Sequence, residues 1–368
     1  MGKHELPRRA RLLPVLGVFA LVAALLTVGR FAMADNQPVA KDTTEASQPS
    51  ASASDKTDGT DGTGDDKTKP RDKNKHATDH KTDRKKDRRR SRDLRDKVQL
   101  AADGLAADDA TFRIASFNVL GASHTAPGGN KRGYALGASR MGWATQLIRG
   151  NNISVVGLQE FESAQHSTFA RLTGSGWGLY PGMQLGNLGV RNSIGWDTSV
   201  WELVEAHTLQ IPYFHGKPVP IPYVLLKHKG TGRLAWFINT HNPASTRGPA
   251  QHWRDIATSK EIALMNDLQE PQTSNQLGIP TFLTGDFNEK ADAFCAVTVR
   301  ANAQAANGGT ASPCRLPANN GIDWIFGSRP GVSFSHYVRL DGGLVNRVSD
   351  HPMVYSDVTL TGEAPYVE

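Results

Sequence analysis

Apolar and polar residues alternate along several stretches of the C-terminal two thirds of the chain, and this two-residue period predicts β-strands. The first stretch is TFRIASFNVL at 111–120. The stretch ISVVGLQEF at 153–161 is more continuously apolar and predicts a buried strand. Three later stretches also predict strands: IPTFLTGDFN, GIDWIFGS and HPMVYSDVTL.

Two longer segments read as hairpins, and two others read as helices. The hairpins are predicted at 192–211 and at 223–242, the second turning at the glycines of KGTG, 229–232. Apolar residues at helical intervals predict helices over 140–152 and 250–270. Strands that mostly pair as hairpins, with helices between them, predict an α/β fold. We expect a four-layer sandwich, in which two mixed, mostly antiparallel β-sheets pack face to face with helices outside.

The N-terminal segment 1–34 has a different composition. A basic start is followed by an apolar run from Leu12 to about Gly29 and by Ala32-Met33-Ala34, which is typical of a signal-peptidase site. The run is also just long enough to span a bilayer. A cleaved signal peptide and an uncleaved N-terminal anchor are therefore both open, and either places the rest of the protein outside the cytoplasm, extracellular or at the cell surface.

Residues 35–105 predict a disordered, charged, low-complexity linker. Aliphatic side chains larger than alanine are almost absent up to Lys97, so the segment cannot bury enough apolar surface to offset the entropy of ordering. The basic run 81–97 could contact anionic envelope polymers, nucleic acid or lipid headgroups. We favour a solvated spacer, because the Asp residues within this basic run cancel much of its positive electrostatic potential.

The positive charge of the chain belongs to this N-terminal third. The whole chain has a formal charge of +6, whereas residues 98–368 contain 20 basic and 21 acidic residues. The isoelectric point therefore does not indicate a nucleic-acid-binding domain. Residues 106–368 are the predicted folded domain, which is long enough for one large core.

Polar side chains recur where the predicted strands meet loops, which is where functional residues tend to lie. These candidates are Asn118, Glu160, His241, Asp286, Asn288, Asp323, Asp350 and His351. The four carboxylates among them cannot share a cleft without a cation or bound protons. Carboxylate and amide oxygens suit Mg²⁺, or alternatively Mn²⁺, better than Zn²⁺. A metal, a water-orienting base and two histidines together suit in-line attack on phosphorus.

Six short motifs occur in a fixed order: SFNVL, LQE, NTHN, TGDFN, GIDWIF and SDHPMV. Together they resemble the endonuclease/exonuclease/phosphatase superfamily over about residues 110–360. Its members include pancreatic-type deoxyribonucleases, abasic-site endonucleases, neutral sphingomyelinases and inositol-phosphate phosphatases. The resemblance implies a metal-dependent phosphoesterase that hydrolyses a P–O bond with an activated water.

The resemblance also implies a role for each matching residue. Asn118 and Glu160 would hold Mg²⁺, with Glu160 the main ligand. Asp286 would position or deprotonate the attacking water, and Asn288 would donate to a phosphoryl oxygen. One departure is that Asp197 follows Trp196 where the family has an aromatic-basic pair, which weakens any backbone-phosphate contact there.

Three further roles follow from the same resemblance. His351, oriented by Asp323 or a neighbouring carboxylate, would bind the scissile phosphate or transfer a proton. Asp350 would lie beside the metal or its waters. His241 matches the histidine that serves as general acid in the deoxyribonuclease and sphingomyelinase branches, although which histidine is acid and which is base stays open.

The chain has two cysteines, Cys295 and Cys314. Secreted pancreatic-type deoxyribonucleases carry a disulfide in the same connection, so the resemblance implies a bridge between them, worth roughly 3 kcal/mol by the chain-entropy model. Two unpaired thiols are the alternative. An exported protein with two cysteines favours the bridge.

The leading functional hypothesis is an exported, monomeric, nuclease-like phosphodiesterase that uses Mg²⁺. Its substrate would be a phosphate ester, with nucleic acid favoured over phospholipid or inositol phosphate. A phospholipid or sphingomyelin phosphodiesterase, or a phosphomonoesterase, is the alternative, because the near-neutral domain offers no evident basic groove for duplex DNA. A non-catalytic surface protein that binds through its basic arm is an alternative of another class.

Overall fold

A computed structural model describes residues 107–270 and 278–361, together with Asp96, Gln99, Leu100 and Asp103. The predicted leader or anchor at 1–34 and most of the predicted linker at 35–105 lie outside the described residues. Within the described part of the chain, no helix combines the length and the apolar character that crossing a membrane requires.

Twelve strands in the described residues form two six-stranded sheets. Along the chain they are β1 (Ala110–Asn118), β2 (Val155–Gln159), β3 (Trp177–Tyr180), β4 (Asn192–Asp197), β5 (Trp201–Pro212), β6 (Pro218–His228), β7 (Leu234–His241), β8 (Thr281–Asp286), β9 (Ala303–Ala305), β10 (Asp323–Ser328), β11 (Val332–Leu340) and β12 (Met353–Leu360). The first sheet has the order β11-β12-β1-β2-β4-β3 and the second β5-β6-β7-β8-β10-β9. The pairs β1–β2 and β7–β8 are parallel and the other pairs antiparallel.

Helices cover the outer faces of the two sheets. Those of the described residues are α1 (Ala122–Thr125), α2 (Gly137–Gly150), α3 (Ser163–Thr173), α4 (Gly186–Gly189), α5 (Gln251–Gln269), α6 (Ala291–Arg300) and α7 (Val345–Val348). Side chains of α2 and α3 share a core cluster with β1 and β2, and side chains of α5 and α6 share one with β7 and β8. The predicted α/β sandwich of two mixed, mostly antiparallel sheets is confirmed, although α3 and α6 were not predicted.

Alternate side chains of β1 pack on opposite faces of its sheet and so join two layers of the sandwich. Phe112 and Ile114 enter the core between the sheets, whereas Ala115 and Phe117 face the helices. Phe112 lies edge-on to Phe282 of the second sheet, with ring centroids 5.7 Å apart. Full burial of an aromatic side chain of this size contributes about 1.5–3 kcal/mol.

The inward-facing side chains of the strands are polar at one edge of the sandwich. Continuing the period of two beyond the apolar positions leads to buried polar residues at strand ends: Asn118 in β1, Gln159 in β2, His241 in β7, Asp286 in β8 and Asp323 in β10. Side chains on one row of a strand point to one face of its sheet. Both sheets therefore present polar groups to the same edge of the interface.

A layer of buried amides and hydroxyls connects the sheets just beneath this edge. Gln159 Nε2 donates to Asn239 Oδ1 at 2.6 Å, and Asn239 Nδ2 donates to the Leu158 carbonyl at 2.9 Å. Gly157 is required here, because a Cβ at this position would lie 2.2 Å from Thr284 Oγ1. At Gly157 the two sheets therefore lie too close together for a side chain.

The predicted hairpin over 192–211 is wrong. β4 belongs to the first sheet and β5 to the second, so the short segment 198–200 carries the chain between sheets instead of turning a hairpin. Trp201 explains why the chain passes from one sheet to the other here. Its buried ring packs edge-on against Phe112 at 4.9 Å, and its Nε1 donates to Ser154 Oγ at 3.2 Å. The predicted hairpin over 223–242 is confirmed as β6 and β7.

Four described positions lie within the predicted linker, whose disorder stays a prediction. Asp96, Gln99, Leu100 and Asp103 are helical, and Gln99 Nε2 donates to Asp103 Oδ1 at 2.8 Å. Leu100, one of the few large aliphatic residues of the segment, packs against a small cluster around Trp236. This contact supplies the burial that the composition of the segment otherwise lacks.

Cys295 and Cys314 form a disulfide across 19 residues of chain, as the resemblance implied. Cys295 lies in α6, and Cys314 lies in the connection that leads to β10. The bridge therefore ties an outer helix to the segment that enters the strand beginning at Asp323.

The double variant Cys295→Ser/Cys314→Ser should have a free energy of unfolding about 3 kcal/mol below that of the wild type, because its unfolded chain is no longer cross-linked. Urea unfolding under oxidising conditions measures the difference. Adding a reductant should lower the stability of the wild type to that of the variant and leave the variant unchanged. Equal stability of the oxidised wild type and the variant would contradict this account.

Candidate active site

Asn118 connects the two sheets at their polar edge. Its side chain is fully buried, and its Nδ2 donates to Glu160 Oε1 and to Asp286 Oδ2, each at 3.0 Å. Its Oδ1 accepts from the Leu120 amide at 3.0 Å. One carboxamide therefore holds a carboxylate from each sheet, and in this orientation its nitrogen faces them.

Glu160 follows β2 in the left-handed backbone region, with φ 53°. Its Oε2 accepts from the Gly121 amide at 2.9 Å and lies 3.3 Å from His124 Nε2. Burial alone would raise the pKa of Glu160, but the hydrogen bond from His124, the charge of His241 and hydrogen bonds from Gly121 and Asn118 outweigh it and lower this pKa well below its usual range. The carboxylate is a strong, preorganised negative charge.

Asp286 faces two histidines. Its Oδ2 lies 3.4 Å from His241 Nε2 and 3.6 Å from His351 Nε2. On the far side of His351, Nδ1 lies 3.0 Å from Asp323 Oδ1. Ligand atoms of Asp286, Asp323 and His351 lie within 4.8 Å of one another, so this group could also hold a metal ion.

The acids around His351 favour its protonated form. Burial lowers the pKa of this imidazole, but the hydrogen bond to Asp323 and the charges of Asp323, Asp286 and Asp350 outweigh it and raise the pKa to about 10. At neutral pH the ring is therefore a cation. It donates from Nδ1 to Asp323 and presents an Nε2 proton on the side of Asp286.

Asn288 and Asp350 lie less directly in the site. Asn288, at φ 53°, donates its backbone amide to Asp286 Oδ1 at 2.9 Å and its Nδ2 to the Asn242 carbonyl at 2.8 Å. Asp350 is exposed and accepts from Lys131 Nζ at 2.6 Å. Asn288 thus supports Asp286, and Asp350 pairs with a lysine at the rim. Their predicted contacts with phosphate and metal stay predictions.

Glu261 supports the end of β7 from behind. It is fully buried in α5 and accepts from Thr240 Oγ1 at 2.6 Å and from Asn242 Nδ2 at 3.4 Å. Burial raises its pKa to about 7, with a further contribution from Glu289, although the two hydrogen bonds oppose the rise. Sequence reasoning missed Glu261, because a glutamate within an amphipathic helix usually faces solvent.

Arg140 supports the other side of the site. This fully buried guanidinium donates to the carbonyl oxygens of Val119 at 2.6 Å, Val348 at 2.8 Å and Gly121 at 3.1 Å. Arg140 therefore joins the segment after β1, which donates to Glu160, to the segment before His351. Its position on the predicted helix gave no signal of this contact.

Tyr213 and two neighbours line the site next to His241. The Tyr213 ring lies edge-on to the His241 ring at 5.6 Å, and burial, together with the charges of Glu160 and Asp286, raises the pKa of Tyr213 above its usual range. Phe214 packs on Tyr213 at 4.4 Å. The Arg247 guanidinium lies 4.9 Å over the Phe214 ring. No motif marks these residues, because they belong to two separate connections.

The structure thus brings six of the eight predicted side chains into one connected cluster. They are Asn118, Glu160, His241, Asp286, Asp323 and His351. The arrangement combines an ionised carboxylate, a second carboxylate beside two imidazoles and an orienting acid, which together can bind a cation, orient water and transfer protons.

Comparisons with known proteins agree with this geometry. A sequence model described as the endonuclease/exonuclease/phosphatase family matches residues 115–351. No curated protein matches the sequence at a significant level.

Several solved structures share the fold. The human Nocturnin catalytic domain with a bound sulfate anion is 16% identical at a TM-score of 0.54, covering 70% of this chain and 98% of its own. An endonuclease/exonuclease/phosphatase family protein from Bacteroides thetaiotaomicron is 19% identical at 0.51, covering 70% and 100%. One from Bacteroides vulgatus is 17% identical at 0.52, covering 68% and 99%.

Glu261 should make stability depend on pH. Its pKa is about 7 in the folded protein and 4.5 ordinarily. Because the folded state binds more protons between these values, stability should fall as pH rises from about 4.5 to 7, by about 3 kcal/mol in total. Urea unfolding at pH 5 and pH 8 should show this fall in the wild type.

Glu261→Gln is the matched control, because its amide cannot ionise but can still accept a hydrogen bond. All other titrating groups are the same in the variant and the wild type, so their contributions cancel in the difference between the two free energies of unfolding. If that difference is the same at pH 5 and pH 8, Glu261 does not titrate in this interval.

Proposed function

The chain belongs to the endonuclease/exonuclease/phosphatase family, and from this premise we propose that it is a divalent-metal-dependent phosphodiesterase. The observation that carries the proposal is the hydrogen-bonded link from Glu160 through Asn118 to Asp286. It sets a cation-binding carboxylate next to a carboxylate that can orient water, with His351 at 3.6 Å from the latter. These three elements together suit the metal-assisted hydrolysis of a phosphate ester.

The donor set fits a divalent cation such as Mg²⁺ or Mn²⁺. Glu160 is ionised, its side chain is partly exposed, and oxygen donors are what these ions prefer. Glu160 would hold the metal. Asn118 would be the second ligand only if its side chain turned, because it faces Glu160 with Nδ2, and only its Oδ1 can bind a cation. When bound, the metal would act as a Lewis acid toward the phosphoryl oxygen.

The remaining residues divide the proton chemistry among them. Asp286, fixed by Asn118 and by the Asn288 amide, orients the attacking water and accepts its proton. His351, held by Asp323, donates from Nε2 to a phosphoryl oxygen and stabilises the charge that develops there. His241 protonates the leaving oxygen.

A nucleic acid is the substrate that we favour. The wall formed by Tyr213, Phe214 and Arg247 offers an aromatic face and a cation beside His241. Aromatic side chains stack on nucleobases, and arginine contacts phosphates beyond the scissile one. A diester with groups on both sides of its phosphorus could use this wall, whereas a small monoester would not reach it.

A phospholipid is the second candidate, and a specific observation supports it. Met183, Leu185 and Leu188 are exposed by 40%, 45% and 50% in the segment between β3 and β4. That segment ends at Arg191, whose carbonyl accepts from the Phe161 amide at 3.1 Å, directly after Glu160. Exposed apolar side chains in a segment joined in this way to the site suit contact with lipid.

We also propose that the protein acts outside the cytoplasm as a monomer, either released or held at the cell surface. The disulfide between Cys295 and Cys314 supports this proposal, because such bonds persist in oxidising compartments. A role as a non-catalytic binding protein is less well supported, because the cluster around Asp286 has the groups that catalysis would need. Contact of the basic linker with anionic envelope polymers is an additional proposal, which salt-dependent release from cells would test.

Purified protein should hydrolyse a bis-aryl phosphate in the presence of Mg²⁺ or Mn²⁺ and lose this activity in EDTA. Asp286→Asn should lower kcat/KM by about 10² to 10⁴, since the acceptor of the water proton is removed. Spectrophotometric release of the aryl alcohol measures both effects. Full activity in EDTA, or in Asp286→Asn, would contradict the assigned site.

The same preparation separates the candidate substrates. We expect cleavage of single-stranded or duplex DNA to exceed release of phosphocholine from sphingomyelin vesicles and of phosphate from inositol phosphates. Faster turnover of sphingomyelin would establish the lipid candidate instead.

Asp323→Asn should move the alkaline limb of the rate profile to lower pH. Asp323 makes the largest contribution to raising the pKa of His351 to about 10, so His351 without it should lose its proton nearer the ordinary 6.5. The variant should then lose about 100-fold in kcat/KM between pH 6 and pH 8.5, an interval over which the wild type keeps His351 protonated. Asp341→Asn, at an exposed acid on the neighbouring connection, is the control and should leave the limb in place.

A further inference from the structure

His124 lies beside Glu160 although no sequence pattern singled it out. It belongs to the short helix α1 directly after β1, and its Nε2 is 3.3 Å from Glu160 Oε2. Its side chain is 38% exposed, so the space between the two groups can be reached from solvent. The mechanism proposed above does not use this imidazole.

The orientation of the His124 ring is set from its other nitrogen. Nδ1 lies 2.7 Å from Asn130 Oδ1, and because a carboxamide oxygen can only accept, Nδ1 carries the hydrogen. Backbone hydrogen bonds from Lys131 to His124 at 2.9 Å and from Gly129 to Ala126 at 2.8 Å hold the segment with Asn130 against α1. Metal-binding histidines are commonly fixed in this way through the nitrogen that does not bind the metal.

The carboxylate of Glu160 keeps acceptor capacity on the side of this ring. Its Oε1 accepts from Asn118 and its Oε2 from the Gly121 amide. Since each carboxylate oxygen has two acceptor positions, Oε2 retains one. Without a metal, a proton on Nε2 joins this imidazole to the carboxylate. A metal ion bound by both groups would take the place of that proton.

The separation of the two atoms suits a shared metal. Two neighbouring ligands of an octahedral ion, bound at about 2.1 Å, lie about 3 Å apart. The observed 3.3 Å between His124 Nε2 and Glu160 Oε2 is close to this value. Both could therefore bind one ion with little movement of either side chain.

We propose that His124 Nε2 is a ligand of the same metal ion as Glu160, which makes the site a mixed nitrogen-oxygen site that prefers Mn²⁺ to Mg²⁺. An imidazole ligand favours first-row transition ions, whereas Mg²⁺ prefers oxygen. This inference rests on the proposed function in placing the metal at Glu160. It changes the expected preference from Mg²⁺ to Mn²⁺, because the two ligands indicated by the sequence, Asn118 and Glu160, offer oxygen donors alone.

Electron spin echo spectroscopy of the full chain loaded with Mn²⁺ alone tests the assignment. The wild type should show ¹⁴N modulation from a directly bound imidazole, and His124→Ala should lose it. The Mn²⁺ dissociation constant should rise about 10-fold or more in the variant, whereas the Mg²⁺ constant, measured by competition, should change less. Unchanged modulation in His124→Ala, or none in the wild type, would overturn the proposal.

His351→Ala is the matched control, because it removes the imidazole of the second group that could hold a metal ion, with Asp286 and Asp323. It should keep the ¹⁴N modulation. Loss of modulation in His351→Ala but not in His124→Ala would place the Mn²⁺ at Asp286 and Asp323, and would also overturn the proposal. Circular dichroism checks that each variant is folded.

Two further variants keep the test decisive if His124→Ala does not fold. His124→Gln retains a polar side chain of similar reach but has no imidazole, so it should also lose the modulation. Asn130→Ala leaves the ligand and removes its orienting contact, so it should keep the modulation and bind Mn²⁺ more weakly. Because the spectrum requires no turnover, a protein that binds Mn²⁺ through His124 but hydrolyses no ester would refute the proposed function alone.

Discussion

The bridge from Asn118 to Glu160 and Asp286 is the contact on which the site depends. Each carboxylate lies 3.0 Å from the same amide nitrogen, and one comes from each sheet. A buried carboxylate and a partly buried one at this distance repel each other, and a donor between them offsets part of that cost. The bridge can form only if the sheets keep a fixed separation, which the apolar layer around Phe112 provides.

Buried groups behind the site keep its two halves in place. Arg140 joins the segments on either side of the first sheet's edge, and Glu261 anchors the end of β7 that carries His241. Neither can touch substrate. Both satisfy backbone or side-chain groups that would otherwise be buried without a hydrogen-bond partner, which costs about 1–3 kcal/mol each. The positions of Glu160 and His241 thus depend on residues one layer further in.

Much of this organisation could be predicted from the chain. Most strands, two helices and the layered α/β class follow from periodicity, because side chains of one period share one face. The prediction that β4 and β5 form a hairpin was wrong, because a short connection requires two strands to be near each other but not to pair. Trp201 decided the outcome by packing between the sheets.

The sequence by itself determined the chemical inventory: which acids, amides and imidazoles follow which strands, and in what order along the chain. Only the tertiary structure decided which of them meet. It turned the nitrogen of Asn118 toward both acids, paired the exposed Asp350 with Lys131, and set His124 beside Glu160. The reason is that periodicity describes the face of one strand, whereas these contacts depend on how two sheets and their loops approach each other in space.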